Sequence, residues 1–210
     1  MKKIIFTLSL LIFTFYTVSA QEIGKVLLPM PSDIIFGLEA SHKDMLLTNP
    51  TDTAKVVVDR GTFGELTRLA ISEDFISIQT SDAGNTQIKL LPLINDSKIV
   101  CVVKTVCGKI CDSQIQFYTP KWMPIDQQLI PDIDKDFFIK SDVDRNSQDF
   151  VNAYKALDLT PVKMTLSPTD NSIQLEYDIK DYLSEEDYKK IQPFLIEGPK
   201  VFTWDKISFK

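Results

Sequence analysis

The densest group of residues able to do chemistry is a run of aspartates in the middle of the chain. Asp132, Asp134 and Asp136 alternate with other residues, as the first ligands of an EF-hand calcium loop do. That loop also needs glycine at its sixth position and glutamate at its twelfth. Phe137 and Val143 occupy those positions here, which excludes an EF-hand. The three aspartates remain candidates for a looser calcium site, and a solvated acidic connector is the alternative.

The same acidic stretch, residues 132–144, is the only support for an enzyme. Two carboxylates that converge in a cleft act as acid and base in glycoside hydrolysis, so a carboxylate-based hydrolase or lyase acting on envelope glycans is one hypothesis. His42 is the single histidine and therefore the only histidine candidate for a catalytic base. However, no serine lies in a G-x-S-x-G elbow, and no glycine-rich phosphate loop is present. We therefore predict no catalytic residue and no cofactor.

Three cysteines lie close together, at positions 101, 107 and 111. A disulfide between Cys107 and Cys111 would close a hairpin at Gly108, and free thiols are the alternative. Cys101 lies in an apolar run, where a buried and inert thiol is expected. A zinc site would need a fourth ligand, and the only histidine, His42, is distant in sequence.

The first 20 residues have the pattern of a secretory signal peptide. Lys2 and Lys3 precede an apolar core, and small residues stand before a cleavage site after Ala20. The apolar core is shorter than the roughly 20 residues that span a bilayer. Gln21 follows the site, so no lipid-modified cysteine is expected there. We predict a periplasmic or secreted protein with no membrane span in its mature chain.

The composition is that of an acidic globular protein. The 210 residues include 23 basic and 29 acidic side chains, a net charge of −6, and 44% hydrophobic residues. An acidic chain lacks the basic surface that nucleic acids and anionic lipids require. The hydrophobic content is sufficient for a packed core.

Hydrophobic alternation predicts an α+β fold, in which antiparallel meander strands are packed by a few short helices. The predicted strands lie in residues 66–118, 162–166, 172–177 and 200–209. The predicted helices lie in residues 31–38, 41–48, 147–154 and 184–192, the last ending before Pro193.

These elements define a signal peptide (1–20), an N-terminal helix plus meander (21–125), an acidic connector (126–146) and a C-terminal half (147–210). We expect the two halves to form one compact domain. Leu-Thr and Ile-Gln pairs recur in both halves, and a divergent tandem repeat of a helix-plus-meander unit would explain this recurrence.

Several segments in order along the chain resemble a known family, domain of unknown function 3256. They are LPMPS (28–32), LLPL (90–93), VVKTVC (102–107), CDSQIQFY (111–118) and YLSEEDY (182–188). The resemblance covers nearly the whole mature chain. It implies a small secreted protein of Bacteroidetes-type bacteria, and the family carries no assigned activity, substrate or site.

Two further features bear on surface chemistry. Thr53, in Asp52-Thr53-Ala54, is similar to the O-glycosylation acceptor of secreted proteins from such bacteria. Trp122 and Trp204 are candidate ligand-facing aromatics, and packing between sheet and helices is the alternative.

Taken together, these features favour a non-enzymatic binding module whose partner is a protein, a peptide or another envelope ligand. A sheet edge that accepts an added strand is one physical route to such binding. An assembly factor for envelope structures is a related alternative, and the glycan hydrolase or lyase is the enzymatic one.

Overall fold

The computed structural model describes residues 22–48, 54–177 and 179–210. They form the predicted α+β fold, with two antiparallel sheets and short helices. The predicted signal peptide and Thr53 lie outside the described residues. Within those ranges no helix is both long enough and apolar enough to cross a membrane.

Six consecutive strands form the larger sheet in the order β1-β2-β3-β4-β5-β6. Their bounds are Val56–Asp59, Glu65–Ile71, Phe75–Gln79, Gly84–Pro92, Lys98–Cys107 and Cys111–Tyr118, with a 3₁₀ turn at Gly61–Phe63. This confirms the predicted meander and adds β1, which the sequence analysis did not predict. Short turns rich in Ser, Asp, Asn and Gly separate β3 to β6 and fix their register.

One face of the larger sheet packs against the N-terminal segment. This segment contains α1 (Glu22–Leu27) and α2 (Ala40–Leu46). α1 was not predicted from the sequence. The predicted helix at 31–38 is wrong, since those residues form turns around Gly37 at φ +72°. The buried side chains of Ile34, Ile35 and Leu38 still contribute to the core.

The smaller sheet contains β7 (Val162–Leu166), β8 (Ser172–Tyr177) and β9 (Lys200–Thr203). α3 (Gln148–Tyr154) precedes it, and α4 (Glu185–Ile191) lies between β8 and β9. 3₁₀ turns occupy Lys135–Phe138 and Gln192–Phe194. The predicted strand at 200–209 is too long, because the chain turns at Asp205 and Lys206 and returns so that Trp204 bridges to Phe209.

The smaller sheet crosses the other face of the larger one. Backbone N–H groups of Val162, Met164 and Leu166 donate to side chains of Asp112, Ser113 and Gln87, respectively. These acceptors lie on β6 and β4, so β7 runs across the strands beneath it. These contacts occupy the outward N–H groups of β7, so those groups cannot pair with another strand.

Candidate functional site

A cavity lies beside the smaller sheet, and we call it the C-terminal groove. Its volume is about 560 Å³, within the usual range of ligand pockets. Its lining comprises Phe138, residues 176, 177, 179 and 180, Tyr188, Gln192 and residues 195–199.

The groove exists because β9 is shorter than β8. β9 pairs with β8 only as far as Lys200 opposite Leu175. Before Lys200, Pro199 has no N–H to donate and Gly198 adopts φ +73°, so the chain diverges from β8. Farther back, Ile196 N–H donates to the Phe138 carbonyl at 2.9 Å. This contact holds the diverging segment away from the end of β8.

The divergence leaves one strand position unpaired. Trp204 N–H donates to the Asn171 carbonyl at 2.8 Å, and hydrogen-bonded pairs alternate along antiparallel strands. Every second residue of β8, counted from Asn171, therefore directs its backbone N–H and C=O toward β9. Tyr177 is one of these residues, but β9 has diverged at that point, so its backbone groups face the groove. No hydrogen bond joins the Tyr177 N–H to any residue in the described ranges.

The floor of the groove is aromatic and fixed. The Tyr177 ring stacks on Phe138, with ring centroids 4.6 Å apart. Its hydroxyl donates to the Leu159 carbonyl at 2.9 Å. Burial, and then the charge of Asp158, raises the pKa of Tyr177 to about 12. Tyr177 is therefore neutral at physiological pH and holds the strand end in place.

Polar side chains surround this floor. Glu176 forms an ion pair with Lys163 at 3.0 Å, whereas Lys180 and Glu197 form no ion pair with a described residue. Tyr188 and Gln192 line the groove from α4 and the 3₁₀ turn that follows it. The predicted capping serine, Ser184, begins α4 by accepting from Asp187 N–H.

The predicted calcium ligands do not converge on one point. Asp134 caps the 3₁₀ turn by accepting from Phe137 N–H. Asp136 accepts from the Tyr154 hydroxyl and pairs with Arg145 at 3.1 Å, and these contacts lower the pKa of Asp136. Asp132 is exposed. No cluster of three metal-ligating side chains occurs in the part of the chain that the structure describes.

The aspartates on which the hydrolase hypothesis depends lie outside the C-terminal groove. Asp132, Asp134, Asp142 and Asp144 are exposed, and none of the aspartates between 132 and 144 lines the C-terminal groove. Their spacing reflects turn formation, since Asp144 accepts from Asn146 N–H in a local turn.

The three cysteines and His42 occupy structural positions in the fold. Cys107 and Cys111 form a disulfide at the tip of the β5–β6 hairpin. Cys101 is a buried free thiol whose pKa is raised by burial. His42 accepts from Glu39 N–H through Nδ1, which completes a capping box at the start of α2.

Both candidate tryptophans pack inside the protein. Trp122 is 7% exposed, and its indole N–H donates to the Val26 carbonyl. Trp204 is 5% exposed and donates to the Pro92 carbonyl. Each indole thus joins two distant segments. Both tryptophans pack in the interior, which was the alternative to a ligand-facing position.

The groove residues form no sequence motif from which the site could be predicted. Two local signals stood near them: Gly198-Pro199 immediately before the last strand, and the capped helix at Ser184. Neither signal reveals that β8 extends past β9, because that depends on the pairing of Ile139 with Leu195.

Comparison with known proteins places the chain by family and by fold. The model of a family described as "Protein of unknown function (DUF3256)" matches residues 15–209. A solved domain of an uncharacterized protein from Porphyromonas gingivalis W83 is similar, with a TM-score of 0.80 and 26% identity. The match covers 91% of this chain and 98% of that one. No curated protein matches.

Proposed function

The chain belongs to the DUF3256 family of proteins of unknown function, and we propose that it is a non-enzymatic binding module that captures an extended peptide in the C-terminal groove. The observation that carries this proposal is the unpaired backbone of Tyr177 in a cavity of about 560 Å³. An added strand would supply the carbonyl and N–H that this position lacks.

The lining of the groove suits a peptide. Phe138 and Ile179 are apolar and line the groove, so they give it an apolar base against which a side chain of the added strand would pack. Tyr188 and Gln192 offer polar groups to the peptide main chain or side chains. Lys180 and Glu197 carry opposite charges at the exposed rim, where they would favour particular neighbouring residues.

We also propose that the protein acts in the periplasm or outside the cell. The pattern of residues 1–20 supports export, and the Cys107–Cys111 disulfide suits an oxidising compartment. Fractionation of native cells followed by N-terminal sequencing tests this. A chain that begins at Gln21 in the envelope or medium is expected, and a cytoplasmic chain that retains residues 1–20 would contradict it.

Selection from a phage-displayed library of random 12-residue peptides tests the binding role. We expect the wild-type protein to enrich peptides that Gln192→Trp, which fills the groove, does not retain. Lys190→Trp is the matched control, since Lys190 lies in α4, two residues before Gln192, and does not line the groove. If no peptide is enriched, or if Gln192→Trp retains the same peptides, the proposed function is wrong.

A further inference from the structure

A second cavity combines strongly exposed rings with a fixed framework. Phe36 is 72% exposed, Phe63 51% and Val106 65%, and all three line one cavity of about 340 Å³. We call it the Phe36–Phe63 pocket. It lies between the turn after α1, the tip of the β1–β2 hairpin, and the adjoining ends of β4 and β5.

Arg60 holds the two rings in place. Its guanidinium donates to the carbonyls of Phe36, Phe63 and Thr80, which ties together three separate segments. The rings meet edge to face, with centroids 5.1 Å apart. Gly37 has φ +72°, and a Cβ there would lie 3.0 Å from the Phe63 ring. The exposed rings are therefore positioned by contacts that a side chain at position 37 would disturb.

The charge of the pocket is opposite to that of the whole protein. Arg60 and Lys104 line it, and no aspartate or glutamate does, although the chain has a net charge of −6. Neither cation forms an ion pair with a residue in the described ranges. Glu65 and Asp82 line a separate recess that shares only Phe63 and Thr80 with the pocket, and Asp59, next to Arg60 in sequence, accepts from Gly61 N–H.

We propose that the Phe36–Phe63 pocket binds a peptide segment in which an apolar side chain stands next to a carboxylate. The apolar side chain covers Phe36, Phe63 and Val106, which removes exposed hydrophobic area from water. The carboxylate faces Lys104 and the positive charge of Arg60, where complementary potential fixes its orientation. This site is separate from the C-terminal groove and shares no lining residue with it.

Titration of the full mature chain by two-dimensional NMR tests the site with three capped peptides: Ac-Glu-Phe-Glu-NH₂, Ac-Lys-Phe-Lys-NH₂ and Ac-Glu-Ala-Glu-NH₂. We expect only the first to shift the amides of Phe36, Phe63 and Val106 at low concentration. Phe36→Ala should weaken its binding about tenfold. Lys104→Gln should weaken it about fivefold, because a partly exposed ion pair contributes modestly.

Lys109→Gln is the matched control, since Lys109 is exposed on the same hairpin and does not line the pocket. It should bind the acidic aromatic peptide as the wild type does. Equal binding of the basic peptide would overturn the charge assignment, and equal binding of the alanine peptide would overturn the role of the rings. Absence of any shift at these amides would overturn the site itself. None of these results depends on the C-terminal groove.

Discussion

The C-terminal groove and the Phe36–Phe63 pocket present different kinds of chemistry on one chain. The groove offers the unpaired backbone of Tyr177 above a buried aromatic floor. The pocket offers exposed rings and two cations, Arg60 and Lys104, with its backbone carbonyls already bonded to Arg60. From this difference we expect the groove to select for an extended main chain, and the pocket to select for side-chain type and charge.

The largest expected effect comes from filling the groove. Gln192→Trp should weaken capture of a groove peptide by about 100-fold, or roughly 2.7 kcal/mol, while leaving the NMR titration of the Phe36–Phe63 pocket unchanged. Isothermal titration calorimetry with a selected peptide measures the first effect. Equal losses at both sites would show that the two surfaces are coupled, which would contradict the independence of the C-terminal groove and the Phe36–Phe63 pocket.

The next largest effect concerns Arg60, which holds the Phe36–Phe63 pocket together. Arg60→Ala removes the guanidinium that bonds to three carbonyls, and we expect it to lower the free energy of unfolding by about 2 kcal/mol. Urea denaturation measures this loss. Arg60→Lys keeps the charge but not the forked geometry, so it should recover little of the stability. A fully stable Arg60→Lys variant would show that charge alone holds the rings.

The disulfide should affect the pocket side of the molecule more than the groove side. Replacing both Cys107 and Cys111 with serine should cost about 2 kcal/mol, since the closed loop is short. The bond is next to Val106, which lines the pocket. Thermal unfolding with and without reductant measures the loss in wild type, and the double variant should show no response to reductant. Weaker groove binding in this variant would contradict the separation of the two sites.

The architecture could be predicted from the sequence much further than either site. The meander followed from turns such as Asp82-Ala83-Gly84-Asn85, and Ser147 and Ser184 marked the starts of α3 and α4. These are local signals, in which a residue type imposes a backbone geometry within a few positions.

The sites could not be predicted because they depend on distant contacts. Arg60 joins Phe36 to Thr80, and the groove requires Phe138 to hold Ile196. The aspartates at 132–144 have the spacing of metal ligands, yet Asp134 caps a turn and Asp136 pairs with Arg145. Without the fold, a carboxylate that stabilises a turn has the same sequence pattern as one that binds a metal.

The smallest effect tests the floor of the groove. Tyr177→Phe keeps the stacking on Phe138 and loses the bond to the Leu159 carbonyl, which should cost about 1 kcal/mol at neutral pH. The folded-state pKa of Tyr177 is raised to about 12, so the unfolded chain loses this proton first as the pH rises above about 10. Stability linked to Tyr177 is therefore present below that pH and lost between the two pKa values. The gap in stability between wild type and Tyr177→Phe should narrow over this range in urea titrations, and a constant gap would contradict this linkage.

Hydrogen exchange at the Tyr177 amide tests strand addition in the C-terminal groove. We predict that this amide exchanges rapidly in the free protein, because it has no partner in the described structure. It should become strongly protected when a groove peptide selected by the wild type is added, while the amides of the Phe36–Phe63 pocket keep their exchange rates. A peptide that binds tightly but leaves the Tyr177 amide unprotected would contradict strand addition.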